Sequence, residues 1–169
     1  MIIETKKISP FEILVFLPQP LSIIGVFYSK DNSQQCEIIN NINSSSLASE
    51  ALLTSDFLYL KSNTKEQLEE LKLLSLAELD DYYDNPKKLY SSSDNIEQKI
   101  IFLLQLIISP YLKKDGGDIK FISYQNNIVC VSFLGKCHGC PYAKRTLKEH
   151  VEKNLIRYLP EIKEVILTW

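Results

Sequence analysis

The sequence lacks any apolar run long enough to cross a lipid bilayer, which takes about twenty residues. The best candidate, residues 100–108, is too short and is followed by Pro110. The segment Met1–Lys6 lacks the charged-then-apolar order of a signal peptide. Four cysteines in 169 residues are too few for a disulfide framework. We therefore expect a cytoplasmic protein that has no membrane contact and keeps its thiols reduced.

A dense basic tract with interleaved aromatic residues is also missing, which argues against nucleic acid as a partner. The net charge of −2 is unevenly distributed along the chain. Residues 1–94 carry 8 basic and 14 acidic residues, a balance of −6, whereas residues 95–169 carry 11 and 7, a balance of +4. The asymmetry indicates either two ordinary solvated surfaces or an acidic domain that docks client proteins or the basic domain itself.

The composition is that of a globular protein, with 45% apolar and 24% charged residues. A linker is indicated where Pro86 and the serine run 91–93 separate two helical patterns. We predict an α+β protein of two small domains, residues 1–84 and 95–169, joined by a linker at residues 85–94.

The first domain is predicted to be a small α+β unit without residues that carry chemistry. Its best-defined element is a helix that follows Thr64, because Thr64 and Gln67 have the spacing of a capping box. Cys36 stands alone in a polar segment and is not a candidate ligand. The other predicted elements are strands at Met1–Thr5, Phe11–Leu17, Ile23–Tyr28 and Phe57–Leu60, a loop over Ser29–Ser46 and a short helix at Leu47–Leu53.

The second domain has clearer patterns, in the order helix, strand, strand, helix, strand. Apolar residues recur at helical spacing from Ile96 to Tyr111, with Asp94 in the N-cap position, and Gly116 ends this helix. The elements that follow are strands at Ile119–Tyr124 and Ile128–Leu134, a helix from about Pro141 to Tyr158, and a last strand at Ile162–Leu167. Alternation places Val129, Val131 and Phe133 on one face of the second strand. The helix should end before Pro160 and bury a stripe of Leu147, Val151, Leu155 and Leu159.

The motif Cys137-His138-Gly139-Cys140-Pro141 carries the chemistry of the chain, because two thiols across a two-residue turn can hold one metal or redox centre. We expect Cys140 at the N-cap, or as the last loop residue, and Pro141 at the first helical position. The helix N-terminus would then favour the thiolate form of both cysteines. Basic residues one and two turns later either offset an anionic centre or form a solvated face; they are Lys144, Arg145 and Lys148.

Two thiolates are an incomplete ligand set, since structural zinc takes four ligands and iron–sulfur clusters usually take four cysteines. Cys130 in mid-strand and His138 in the turn are weaker candidates as further ligands. A second copy of the chain completes the set most simply, because a two-fold axis brings two C-x-x-C loops together. The alternative functions are a thiol–disulfide oxidoreductase, which also uses C-x-x-C at a helix start, and a structural zinc module.

Residues 95–169 resemble the C-terminal domain of the NifU/Nfu family of iron–sulfur cluster carriers. The resemblance rests on three segments: Asp115-Gly116-Gly117-Asp118, Leu134-Gly135-Lys136-Cys137-His138-Gly139-Cys140-Pro141 and Thr146-Leu147-Lys148. It implies a homodimer whose Cys137 and Cys140 bind a [4Fe–4S] cluster between the two copies. Four thiolates can also hold a bridging [2Fe–2S] cluster, and the sequence does not distinguish the two. It also implies a scaffold without catalytic residues, which receives the cluster from assembly machinery and transfers it to apo-proteins.

Residues 1–84 are more loosely similar to the Nfu N-terminal domain, at Phe11–Pro18, Ser46-Leu47-Ala48 and Ser55-Asp56-Phe57. In the Asp-Gly-Gly-Asp segment we expect Gly116 and Gly117 to end the helix and Asp118 to cap or solvate the next strand.

Overall fold

The computed structural model describes residues 3–31 and 36–168. The chain forms two compact units, Met1–Asp94 and Asn95–Trp169, and each combines helices with a β-sheet, as the predicted α+β class requires. The segment 85–94, interpreted as a linker, lies in the first unit, where Leu89–Tyr90 pairs in parallel with Ile23–Ile24. Among the helices of the described residues, none is both long and apolar enough to cross a membrane.

The first unit is built on an antiparallel sheet of five strands, in the order β1-β2-β6-β5-β4, with a separate parallel pair β3-β7. In chain order its elements are β1 (Glu4–Ser9), β2 (Glu12–Phe16), β3 (Ile23–Ile24), β4 (Phe27–Tyr28), α1 (Glu37–Ser44), β5 (Ala48–Leu53), β6 (Phe57–Ser62), α2 (Lys65–Asp84) and β7 (Leu89–Tyr90). Alternation along the strands turns one apolar face toward both helices. Members of this core include Ile13, Val15, Leu58 and Leu60 from the sheet and Ile42, Leu68 and Leu71 from the helices.

Two elements of the first unit differ from the sequence predictions. The predicted loop Ser29–Ser46 is wrong because it contains α1, whose Ile38, Ile39 and Ile42 are buried; residues 32–35 lie outside the described residues. The predicted helix Leu47–Leu53 is wrong because this segment is β5, which pairs with β4 and β6. Sheet pairing overrides the local helical preference of the segment, since propensity is only a weak guide to structure.

The predicted strands of the first unit are found with shifted ends. The strand expected at Met1–Thr5 corresponds to β1, which continues for four residues past Thr5. The first two residues of the predicted strand lie outside the described residues. The strand expected at Ile23–Tyr28 is interrupted at Gly25-Val26, which separates β3 from β4.

The start of α2 confirms half of the predicted capping box. The Gln67 backbone N–H donates to Thr64 Oγ1 over 3.1 Å, which makes Thr64 the N-cap. The reciprocal bond is missing, because Gln67 Oε1 is buried without a hydrogen-bond partner. Thr64 therefore satisfies one of the free amides of the first turn without help from the Gln67 side chain.

The second unit has the predicted order helix, strand, strand, helix, strand. Its elements are α3 (Ile96–Leu103), a π-helical segment (Leu104–Ile108), α4 (Ser109–Lys114), β8 (Gly117–Gln125), β9 (Ile128–Gly135), α5 (Ala143–Thr146), a second π-helical segment (Leu147–Glu152), α6 (Lys153–Tyr158) and β10 (Glu164–Leu167). The sheet order is β10-β9-β8, antiparallel between β8 and β9 and parallel between β9 and β10.

The core of the second unit lies between the sheet and the two helical runs, residues 96–114 and 143–158. Alternation along β9 buries Val129, Val131 and Phe133, as the sequence predicts. The 143–158 helix contributes the predicted apolar stripe, of which Leu147, Val151 and Leu155 are buried. The hairpin turns at Asn126 and Asn127, and both residues have positive φ.

The ends of the 96–114 helix show one error and one confirmed prediction. Asp94 is not the N-cap, because the helix begins after Asn95, which has φ +52° and makes no side-chain cap bond. Gly116 ends the helix with φ +79°, a conformation that suits glycine. Pro110 follows the first π-helical segment and cannot donate a backbone hydrogen bond there.

Candidate metal centre

The C-x-x-C motif lies in a loop of consecutive tight turns between β9 and the 143–158 helix. The His138 amide donates to the Gly135 carbonyl over 3.1 Å, and the Cys140 amide donates to the Cys137 carbonyl over 3.4 Å. The Ala143 amide donates to the Cys140 carbonyl over 3.0 Å. The loop is therefore anchored to β9 at one end and to the helix at the other.

The helix after the motif begins later than the sequence suggests. Tyr142 is the N-cap and Ala143 is the first helical residue, so the expectation of Cys140 at the N-cap and Pro141 at the first helical position is wrong. The reason is local: the hydrogen bond from the Ala143 amide to the Cys140 carbonyl closes one more turn before the helix starts. Cys140 thus precedes the N-cap by two residues.

Both thiols are free and partly exposed. Cys137 and Cys140 have intermediate exposure, and all four cysteines of the chain are unbridged. Burial raises the pKa of the Cys137 thiol, and the negative charges of Cys140, Asp115 and Asp118 raise it further. The expected bias of the helix N-terminus toward the thiolate form is therefore not seen at Cys137.

The Asp-Gly-Gly-Asp segment contacts the candidate centre through Gly117. This contact was not predicted from the sequence. A Cβ atom built on Gly117 would lie 2.1 Å from Cys137 Sγ and 2.9 Å from Cys137 Cβ. Only a residue without a side chain allows the thiol to pack so close to the β8 backbone. The available signal was the second glycine itself, because a single glycine suffices to end a helix.

Asp118 ties β8 back to the preceding helix. Its Oδ1 accepts a hydrogen bond from Ser109 Oγ at 2.5 Å and another from the Ile119 amide at 2.9 Å, and Lys113 Nζ lies 3.5 Å from Oδ2. Burial opposes ionisation of this carboxyl, but these donors and the Lys113 charge hold its pKa below the ordinary value. Asp118 therefore fixes the strand on which Gly117 approaches Cys137.

We expect Asp118→Asn to lower the free energy of unfolding of the second unit by about 1 kcal/mol at neutral pH. Hydrogen bonds to charged groups contribute about 1.5–3 kcal/mol, and the 33% exposure of this side chain reduces the effect. Because the folded-state pKa is lowered, the stabilisation is present above the unfolded value of about 3.9 and is lost as the pH falls through the folded value. Urea denaturation at pH 7 and pH 3 measures this. Asp115→Asn, at an exposed position, is the control, and an equal loss in both variants would contradict the assignment.

Neither of the weaker ligand candidates joins the two thiols in the described structure. His138 Nδ1 lies 3.3 Å from the Phe133 carbonyl oxygen, so this nitrogen carries a proton and donates to β9. Cys130 lies five residues before Gly135, the last residue of β9, which is about 17 Å along a strand. Within residues 3–31 and 36–168, no group of three or more His, Cys, Asp or Glu residues is placed to hold a metal ion.

Two of the three basic residues after the motif pair with acidic residues of the same unit. Arg145 Nε lies 3.0 Å from Glu149 Oε2, and Lys148 Nζ lies 2.7 Å from Glu152 Oε2 and 3.6 Å from Glu164 Oε1. This arrangement favours an ion-paired helix face over cations that offset the charge of an anionic centre.

Burial excludes Cys36 as a ligand candidate, whereas the sequence suggested only that it stands alone in a polar segment. It lies buried in the core of the first unit, immediately before α1, and burial raises the pKa of its thiol. Such a thiol behaves as a small apolar side chain.

The second unit is similar in sequence to known proteins. The family described as "NifU-like domain" matches residues 100–166. The chain is 38% identical over 78 residues to "NFU1 iron-sulfur cluster scaffold homolog, mitochondrial" of Drosophila persimilis. The aligned segment covers 46% of this chain and 28% of that protein. It is 40% identical over 74 residues to "Fe/S biogenesis protein NfuA" of Buchnera aphidicola subsp. Acyrthosiphon pisum (strain Tuc7). This aligned segment covers 43% of this chain and 38% of that protein.

The chain thus matches well under half the length of these curated relatives. The family match covers the second unit from Ile100 to Ile166. The similarity of residues 1–84 to an Nfu N-terminal domain stays a prediction.

Proposed function

Because residues 100–166 match the family described as "NifU-like domain", we propose that the chain is a scaffold that carries an iron–sulfur cluster and transfers it to apo-proteins. The observation that carries the proposal is the pair of free, partly exposed thiols of Cys137 and Cys140 in one turn-rich loop of that domain. The names of the two relatives, an iron–sulfur cluster scaffold and an Fe/S biogenesis protein, support the same role. The cluster is the cargo of such a protein.

The cluster is proposed to lie between two copies of the chain. A cluster usually takes four cysteine ligands, and each chain brings Cys137 and Cys140. A two-fold axis through the site supplies all four thiolates from one surface. We propose [4Fe–4S] as the cargo; a bridging [2Fe–2S] cluster uses the same four ligands.

Transfer is proposed to occur by ligand exchange. A thiol of the apo-protein gives up its proton and binds iron, while one Fe–S bond to Cys137 or Cys140 breaks and the released thiolate takes up a proton. Repetition at the remaining ligands moves the cluster with no change in its electron count. The partial exposure of both cysteines favours this approach. The chain itself then needs no catalytic turnover, and we propose that it is not an enzyme.

The proposed partners are cluster-donor assembly machinery, apo-protein clients and a second copy of the chain. The four free thiols suit a reducing compartment, and we propose the cytoplasm.

Anaerobic reconstitution with iron and sulfide tests the proposal. We expect about four irons and four sulfides per dimer, measured as iron, sulfide and zinc content together with native mass. Two irons and two sulfides per dimer would identify the [2Fe–2S] form. Zinc with no sulfide would instead indicate a structural zinc module. A metal-free monomer with an active dithiol–disulfide couple would indicate a thiol–disulfide oxidoreductase.

A further inference from the structure

One face of the 143–158 helix begins next to the C-x-x-C loop and is open to solvent. Its residues recur at positions i, i+3, i+4, i+7 and i+8, which lie on one side of a helix. They line an open groove of about 240 Å³ and are Tyr142, Arg145, Thr146, Glu149 and His150. We refer to these five residues as the Tyr142 face.

The Tyr142 face exposes one tyrosine ring and is bordered by a second. The Tyr142 side chain is 69% exposed and makes no cap bond to the helix, although its backbone is the N-cap. At the far end of the groove, the 45% exposed ring of Tyr111 stacks on His150, with 4.7 Å between centroids and an angle of 27°. Exposed tyrosine together with arginine is the composition of interface centres.

The Tyr142 face lies close to the proposed shared site by covalent geometry alone. Tyr142 follows Cys140 by two residues, and two residues of chain span at most about 7 Å. If Cys140 of each copy binds the same cluster, the Tyr142 backbones of both copies lie near the two-fold axis. We propose that the Tyr142 face is the contact surface between two copies of this chain around the cluster. This inference rests on the proposed function and adds the residues that join the two copies.

The charges of the face favour a second copy over a uniformly acidic or basic partner. A two-fold contact places the same patch on both sides, so the patch must be complementary to itself. The face carries one cation and one anion in its exposed pair, Arg145 and Glu149, whose atoms Nε and Oε2 are 3.0 Å apart within the chain. Across the axis, Arg145 of one copy can pair with Glu149 of its partner, and the reverse pair forms at the same time.

The size of the face indicates an association that depends on the cluster. A buried aromatic side chain contributes about 150–250 Å², so two copies of Tyr142 bury about 300–500 Å². Specific interfaces bury at least about 1,200 Å² in total. The tyrosine contact alone is therefore too small for a stable dimer, and we expect the face to set the register of the two copies while the four Fe–S bonds supply most of the association energy.

Charge exchange between two tagged chains tests this surface directly. The Arg145→Glu chain has two acidic residues on the face, and the Glu149→Arg chain has two basic ones. We expect each homodimer to be weakened and mixed dimers to exceed the homodimers by about tenfold after the two chains are mixed and loaded with cluster. Native mass spectrometry counts the three species. If Arg145 and Glu149 pair only within a chain, mixing relieves no repulsion and the ratio stays statistical, which would overturn the proposal.

A matched pair of changes controls for general attraction between oppositely charged chains. Lys163→Glu and Glu161→Lys alter the charge by the same amounts near Asn127, at the end of the sheet away from Gly135. We expect no preference for mixed dimers of these two variants. An equal preference would show a long-range charge effect and overturn the specific contact.

Tyr142→Ala tests the aromatic part of the face. We expect the dissociation constant of the cluster-loaded dimer to rise about tenfold or more by sedimentation, whereas Tyr90→Ala, at an exposed tyrosine of the first unit, leaves it unchanged. An unchanged dimer with slower transfer to an apo-acceptor would mean that the face meets acceptors, and the proposal would fail. Iron uptake by the wild-type chain separates the two failures. No uptake means that the proposed function fails and this inference with it, whereas normal uptake with a statistical ratio of dimers means that only the inference fails.

Discussion

Replacing Cys140 by alanine is expected to reduce cluster-bound iron from about four per dimer to none, and Cys137→Ala is expected to do the same. Each change removes two of the four thiolates of a two-fold site, because both copies carry it. The fold should persist, since both thiols are partly exposed and the core of the unit is formed by the apolar faces of the sheet and helices. Iron and sulfide assays after reconstitution measure the loss of the cluster, and circular dichroism checks that the fold persists.

Cys130→Ala is the matched control for these changes, because it removes a thiol of similar exposure from the same unit. Cys130 lies in the middle of β9, paired with Ser123 and Ile166, and we expect its loss to leave the iron content unchanged. Loss of iron in this variant, or a full cluster in Cys140→Ala, would mean that the ligands are wrongly assigned.

The second unit could be predicted from sequence almost completely because its signals are local and agree with one another. Alternation identifies the buried residues Val129, Val131 and Phe133 of β9, and helical spacing identifies the stripe through Leu147, Val151 and Leu155. Gly116 and Pro160 mark the helix ends. In such a unit, local preference and tertiary packing favour the same structure.

The first unit was harder to predict because strand pairing decides its structure. Residues 47–53 have a composition compatible with a helix, but β5 lies between β4 and β6, and its backbone groups are satisfied by these neighbours. The short helix α1 begins at Glu37 in a polar segment, and only Ile38, Ile39 and Ile42 mark its buried side. No local pattern shows that these three isoleucines cover the sheet.

The candidate site shows the same division between local and distant information. The spacing of Cys137 and Cys140 identifies the thiol pair from sequence alone. The start of the helix at Ala143 depends on one additional turn, and the role of Gly117 depends on a contact between residues twenty positions apart. Contacts of this kind follow from the antiparallel register, in which Gly117 pairs with Gly135 at the end of β9.

Gly117→Ala is therefore expected to weaken cluster binding although it removes no ligand. The added Cβ would meet Cys137 Sγ at 2.1 Å, far inside van der Waals contact, so the Cys137 side chain must move. Gly117 has no positive φ, so alanine fits the backbone and the effect arises from lost space alone. Displacing a metal ligand through its support typically costs about 10–100-fold in affinity. Competition with an iron chelator measures the change, and circular dichroism checks that the variant is folded.

Gly139→Asn separates this effect from general disturbance of the loop. Gly139 lies between the two cysteines with φ +74°, and a Cβ there would meet nothing within 4 Å. Asparagine tolerates this left-handed conformation better than most residues, so the variant adds bulk at the loop with its Cβ in open space. We expect chelator resistance close to that of the wild-type chain. If Gly139→Asn loses the cluster as readily as Gly117→Ala, loop flexibility governs binding; if only Gly117→Ala does, the position of the Cys137 sulfur governs it.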